Sequence, residues 1–141
     1  MTVNSATARY EGLGKDGKGH VGTKSGALDA PYGFQSRFEE GAGTDPDELI
    51  AAAHASCFTM ATSFALAKAG RTDGTLDTSC EVTLEKDGDG FTVTRSALSM
   101  TASVPGMDKA EFEKIAAEAK ATCPISKLLD CEITLETDFS G

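Results

Sequence analysis

The sequence predicts an α+β protein in which antiparallel β-sheets wrap a long central helix of small residues. Three observations carry this. Leu49 to Ala67, LIAAAHASCFTMATSFALA, contains no Asp, Glu, Lys or Arg and includes seven alanines. CEVTLEKDGDGFTVTRSALSMTASV alternates apolar and polar residues on both sides of a turn at Asp87 to Gly90. No repeat, low-complexity tract or linker separates these patterns, so residues 1–141 read as a single domain, long enough to bury roughly two-thirds of the unfolded surface.

The first third is strand and turn: ATARYEG, a reversal through LGKDGKG, HVGTKSG, and APYGFQSRFE, whose aromatics and Gly and Pro punctuation favour a β-meander. GKDGKG lacks the spacing of a phosphate loop and precedes a strand. In TDPDEL, Asp45 is placed to cap a helix, with Pro46 at N1 and Glu48 completing a capping-box pattern, and Gly70 stops that helix. MDKAEFEKIAAEAKATC has Phe112, Ile115, Ala116 and Ala119 at helical spacing and ends before Pro124. PISKLL adds a helical turn, and CEITLETDF is a final strand.

Charge narrows the function. A net charge of -9, from 13 Lys and Arg against 22 Asp and Glu, offers no clustered basic face for nucleic acid. A small neutral or apolar substrate is the easier partner. MTVNSATARYEG has no basic start followed by an apolar run, so a cytoplasmic location with reduced thiols is expected. The uncharged run is long enough to span a bilayer, but Ser, Thr, Cys, His and Ala dilute it, and it reads as a core helix rather than a membrane segment.

The reactive centre, if there is one, is Cys57 at the middle of that helix. A thiol there is either inert packing or the chemistry. A redox thiol must ionise, whereas a free cysteine of pKa about 8.5 is only a few per cent thiolate at neutral pH. A cation about 4 Å away at an effective dielectric near 20 contributes up to ~4 kcal/mol before desolvation. Arg37 is the favoured source, because in QSRFE it shares a strand face with Gln35 immediately before the Cys57 helix; the alternative is a solvated strand residue. Cys123 stands directly before Pro124, where it would cap the PISKLL turn with free amide donors beside its sulfur. Cys80 and Cys131 lie in alternating strand patterns and read as packing. His54, three residues before Cys57, is either its nucleophile partner or a core histidine bonded elsewhere. Phe58, Met60 and Phe64 are either an alkyl-binding surface or core. No C-x-x-C or other metal-ligand spacing is present.

At RFE, GTDPDELIAAAHASCF, VPGMD and CPISKLL, in this order and spacing, the chain resembles the OsmC/Ohr family of thiol-dependent peroxidases over nearly its full length, and AAHASCF and CPISK resemble the OsmC branch. The resemblance implies an OsmC-like fold in an intertwined homodimer, with Cys57 as the peroxidatic thiol, Cys123 as the resolving thiol and Arg37 as the activating residue. It further implies organic hydroperoxide as substrate, an external dithiol or reducing protein as reductant, and no metal, haem or other cofactor. The family commonly has N-P-E-[EQ]-L, its first glutamate pairing with the arginine. Here Asp47 takes that place and Glu48 follows, so either acid could hold Arg37, with position favouring Asp47. Asp47 precedes Cys57 by ten positions, about 15 Å along one straight helix and roughly 80° around it. An acid at the helix start that serves a thiol at mid-helix would therefore come from the other subunit. The alternative function is a non-catalytic protein that binds an apolar ligand or senses oxidant in the same cavity.

Overall fold

A computed structural model describes residues 1–38 and 43–141. They divide into two compact units, Met1–Leu49 and Ile50–Gly141.

The first unit holds the expected meander: β1 (Ala6–Glu11), β2 (Lys18–Thr23) and β3 (Asp29–Tyr32) pair antiparallel in sequence order. One expectation fails here. The strand through Gln35 and Arg37 is instead a short helix, α1 (Phe34–Phe38). Ser36 fixes its start by exchanging hydrogen bonds with the Gly33 backbone, at 2.9 and 3.0 Å, and the Phe34 and Phe38 rings, four residues apart, meet at 5.0 Å. Glu39, the last residue of RFE, lies outside the described residues.

Helix α2 (Pro46–Lys68) begins as its sequence predicts. Asp45 Oδ1 accepts the Asp47 and Glu48 N–H groups at 2.9 Å, which satisfies two donors that a helix start leaves open. The Glu48 carboxylate accepts from the Thr44 hydroxyl at 2.8 Å, so the return arm of the capping box goes to Thr44. Gly70, at φ +88°, turns the chain away after the last helical residues.

In the second unit β4 (Thr75–Asp87) and β5 (Gly90–Ser103) form the predicted hairpin, with a register shift at Thr83/Leu84. Helices α3 (Lys109–Thr122) and α4 (Pro124–Leu128) precede β6 (Glu132–Ser140). β6 pairs parallel to β5, a departure from the antiparallel sheet expected. Two helices intervene between the strands, and such a crossover delivers the chain back in the same direction, as no tight hairpin can.

Residues four apart on α2, His54, Phe58, Thr62 and Leu66, form its buried stripe. Phe58 and Leu66 join Leu98, Met100 and Ala102 of β5 with Phe112, Ala116 and Ala119 of α3 in one core, on which Phe139 stacks over Phe112 at 4.6 Å. Each large side chain so buried contributes about 1.5–3 kcal/mol. Thr59 and Thr62 return their hydroxyls to the carbonyls of Ala55 and Phe58, so the helix satisfies these polar groups itself. α2 is also long and apolar enough to cross a membrane by length and composition. Its four-residue buried stripe is the pattern of a helix laid on a protein core.

Candidate active site

Two thiols from distant parts of the sequence meet in the second unit. Cys57 sits half-buried in α2, and Cys123 is the residue that ends α3 and caps α4. The reason is local: Pro124 at the first position of α4 cannot continue α3 and forces Cys123 into extended backbone, φ -62° and ψ 142°. Its sulfur then accepts the Ser126 N–H at 3.4 Å and lies 3.1 Å from the Ser126 hydroxyl, and the residue is only 1% exposed. Cys57 packs against the core cluster that contains Cys123. Burial pushes the Cys57 thiol up, the Ile125 backbone N–H acts against this by favouring the thiolate, and the adjacent Cys123 pushes it up further. Among the described residues no cation enters this balance. The arrangement presents two sulfurs to each other without ionising the first.

His54 does not pair with Cys57. Fully buried, it bonds Ser96 of β5 through Nδ1 at 2.6 Å and Ser126 of α4 through Nε2 at 2.7 Å. Burial lowers its pKa, so the ring is neutral, with one N–H and one lone pair for the two hydroxyls. Of the aromatic and methionine neighbours, Phe58 is core, whereas Met60 and Phe64 are 60% and 69% exposed.

In the first unit Arg37 and Asp47 form a two-point pair: Nε to Oδ2 at 3.0 Å and the terminal nitrogen to Oδ1 at 3.2 Å. The Asp47 side chain is largely buried, at 14% exposure, while that of Arg37 is 31% exposed. The planar guanidinium is thereby fixed in direction as well as charge. Glu48, occupied by Thr44, is not Arg37's partner, so the choice between the two acids falls to Asp47.

Cys80 lies 3.2 Å from the Ser96 hydroxyl, and Cys131 meets the Ser96 backbone N–H. Burial raises both thiols. Among the described residues no group of three or more His, Cys, Asp or Glu could hold a metal ion. Sequence reasoning passed over Ser96, Ser126, Thr44 and the Ile125 amide. Only Ser126 carried a signal, as the third residue of a turn opened by a cysteine and a proline.

Fold and site together define an α+β protein with a paired thiol at a helix cap and an acid-held arginine. The chain belongs to the OsmC-like protein family, whose model matches residues 39–138. It is 49% identical over 138 residues to "Peroxiredoxin OsmC" of Escherichia coli, covering 96% of each chain, and 31% identical over 124 residues to an "Organic hydroperoxide resistance protein-like" chain of Staphylococcus aureus, covering 87% of each. The higher identity places it in the OsmC branch. A solved OsmC-like protein of Vibrio cholerae shares the fold at TM-score 0.78 and 18% identity, over 97% of this chain and 99% of that one.

Proposed function

We propose that this protein is a cysteine-based peroxidase that reduces organic hydroperoxides to alcohols in the cytoplasm, as one functional domain within a homodimer. The observation that carries the reading is the contact between the half-buried Cys57 thiol and the sealed Cys123 thiol. The Cys57 thiolate attacks the O–O bond, the alcohol leaves, and the sulfur becomes a sulfenic acid. Cys123 condenses with it to a disulfide and water. An external dithiol then reduces the pair by exchange, and no bound cofactor takes part.

Arg37, aimed by Asp47, supplies the cation that ionises Cys57. Glu48 serves the helix cap. The exposed Met60 and Phe64 on α2 give a second copy an uncharged face to cover, which supports the homodimer. The test is steady-state consumption of cumene hydroperoxide with a dithiol present in excess. Wild type turns over many equivalents and Cys57→Ser none. One equivalent consumed by wild type indicates a sensor, and full turnover by Cys57→Ser overturns the mechanism.

A further inference from the structure

Closing the disulfide requires Cys123 to lose a proton, yet Cys123 is 1% exposed. The atoms around it form a continuous chain. Its sulfur lies 3.1 Å from Ser126 Oγ, which lies 2.7 Å from His54 Nε2. His54 Nδ1 lies 2.6 Å from Ser96 Oγ, which lies 3.2 Å from the sulfur of Cys80. Cys80 is partly exposed. One set of hydrogens satisfies every link in the same direction: Cys123 donates to Ser126, Ser126 to His54, His54 to Ser96 and Ser96 to Cys80.

Resting on the peroxidase reading, we propose that this chain is a proton path for the resolving step, with His54 as the positioning residue at its centre. As Cys123 attacks the Cys57 sulfenic acid, the S–S bond forms and the S–O bond breaks. The Cys57 sulfur is reduced, the Cys123 sulfur is oxidised by the same amount, and the leaving hydroxide is neutralised in solvent by the one proton that the path delivers there, so the sum is one disulfide and one water. The Cys123 proton passes to Ser126 as each member hands on its own: Ser126 to His54 Nε2, His54 Nδ1 to Ser96, Ser96 to Cys80, and Cys80 to water. His54 gains one proton as it loses another, so its burial, which opposes an imidazolium, is no obstacle. The other titratable groups at the path's ends are Cys57 beside Cys123, and Cys131 and Glu81 beside Cys80. When the dithiol releases Cys123 as a thiolate, the proton returns along the same path.

A histidine that only ties α2 to β5 and α4 would affect both thiols and would not confer pH dependence on one step. The experiment mixes the full chain rapidly with cumene hydroperoxide. Dimedone traps the sulfenic acid, and alkylation quenching follows the disulfide. His54→Gln and Ser96→Ala are expected to form the Cys57 sulfenic acid within about twofold of the wild-type rate and to close the disulfide about tenfold slower or more at neutral pH. That deficit should shrink as pH rises, because hydroxide takes over the deprotonation. Closure in the wild type should also slow more in deuterium oxide than closure in either variant. Wild-type closure rates in either variant, or a deficit equal at low and high pH, would overturn the path. If His54→Gln does not fold, Ser96→Ala, which removes a single hydroxyl, decides alone. A wild type that forms no sulfenic acid fails at the earlier step, which is the failure of the peroxidase reading itself.

Discussion

Removing Arg37 should cost the peroxide step most of its rate at neutral pH and return it in alkali. Within residues 50–141, burial and Cys123 hold the Cys57 thiol above the ordinary cysteine range, with only the Ile125 amide opposing them. Without a cation the thiolate is about 3% populated or less at neutral pH. One guanidinium at ~4 Å and an effective dielectric near 20 supplies up to ~4 kcal/mol before desolvation, which acts against both burial and Cys123 and favours the thiolate. Arg37→Ala should therefore slow sulfenic acid formation by about tenfold or more at pH ~7, with the rate rising by up to about tenfold per pH unit toward the wild-type rate in alkali. The assay is the pH dependence of Cys57 alkylation by iodoacetamide in a variant whose other cysteines are serine. Arg37→Lys should recover only part, since an ammonium cannot make both bonds that fix the guanidinium on Asp47. An unchanged Cys57 titration in Arg37→Ala would refute the assignment.

Cys123→Ser should carry out one oxidation and accumulate Cys57 as sulfenic or further oxidised acid by intact mass, while Cys131→Ser keeps near-full turnover. Phe58→Ala empties a fully buried site and should lower stability by about 3–5 kcal/mol in urea unfolding. His54 has a depressed pKa in the fold, so the unfolded chain binds the extra proton first as pH falls. Its contribution is complete above about pH 6.5 and declines below it by up to ~1.4 kcal/mol per pH unit, until the native ring protonates. Unfolding free energies of wild type and His54→Gln measured between neutral and acid pH should diverge with that sign; parallel curves would contradict it.

The elements that carry the candidate site are legible wherever they rest on local chain rules. Pro124 announced the cap at Cys123, Asp45 and Pro46 announced the start of α2, and alternation gave the β4–β5 hairpin. FQSRF reads equally as strand or helix, because five residues with two aromatics are too few to separate a period of two from one of 3.6; the Ser36 and Gly33 bonds decide for the helix. The parallel pairing of β6 depends on how α3 and α4 carry the chain across, which no window of sequence contains. The partners of His54 are 42 and 72 residues away, on strand and helix patterns that gave no hint of a shared neighbour.

The parallel position of β6 also orders events during folding. The β4–β5 hairpin can close locally, on the microsecond scale, whereas pairing β6 with β5 requires closing a longer loop that contains two helices. Cys123 lies in that loop, 66 positions after Cys57. A folding chain therefore passes through states in which α2 and its thiol exist and the second sulfur is elsewhere. In that interval the protein is a target of the oxidants it consumes when complete, since a sulfenic acid with no neighbouring thiol continues toward irreversible forms. Refolding in the presence of hydroperoxide should then inactivate molecules in proportion to the time taken to dock the last strand, and mutations that slow docking would register first as lost thiol titre and only afterwards as lost fold.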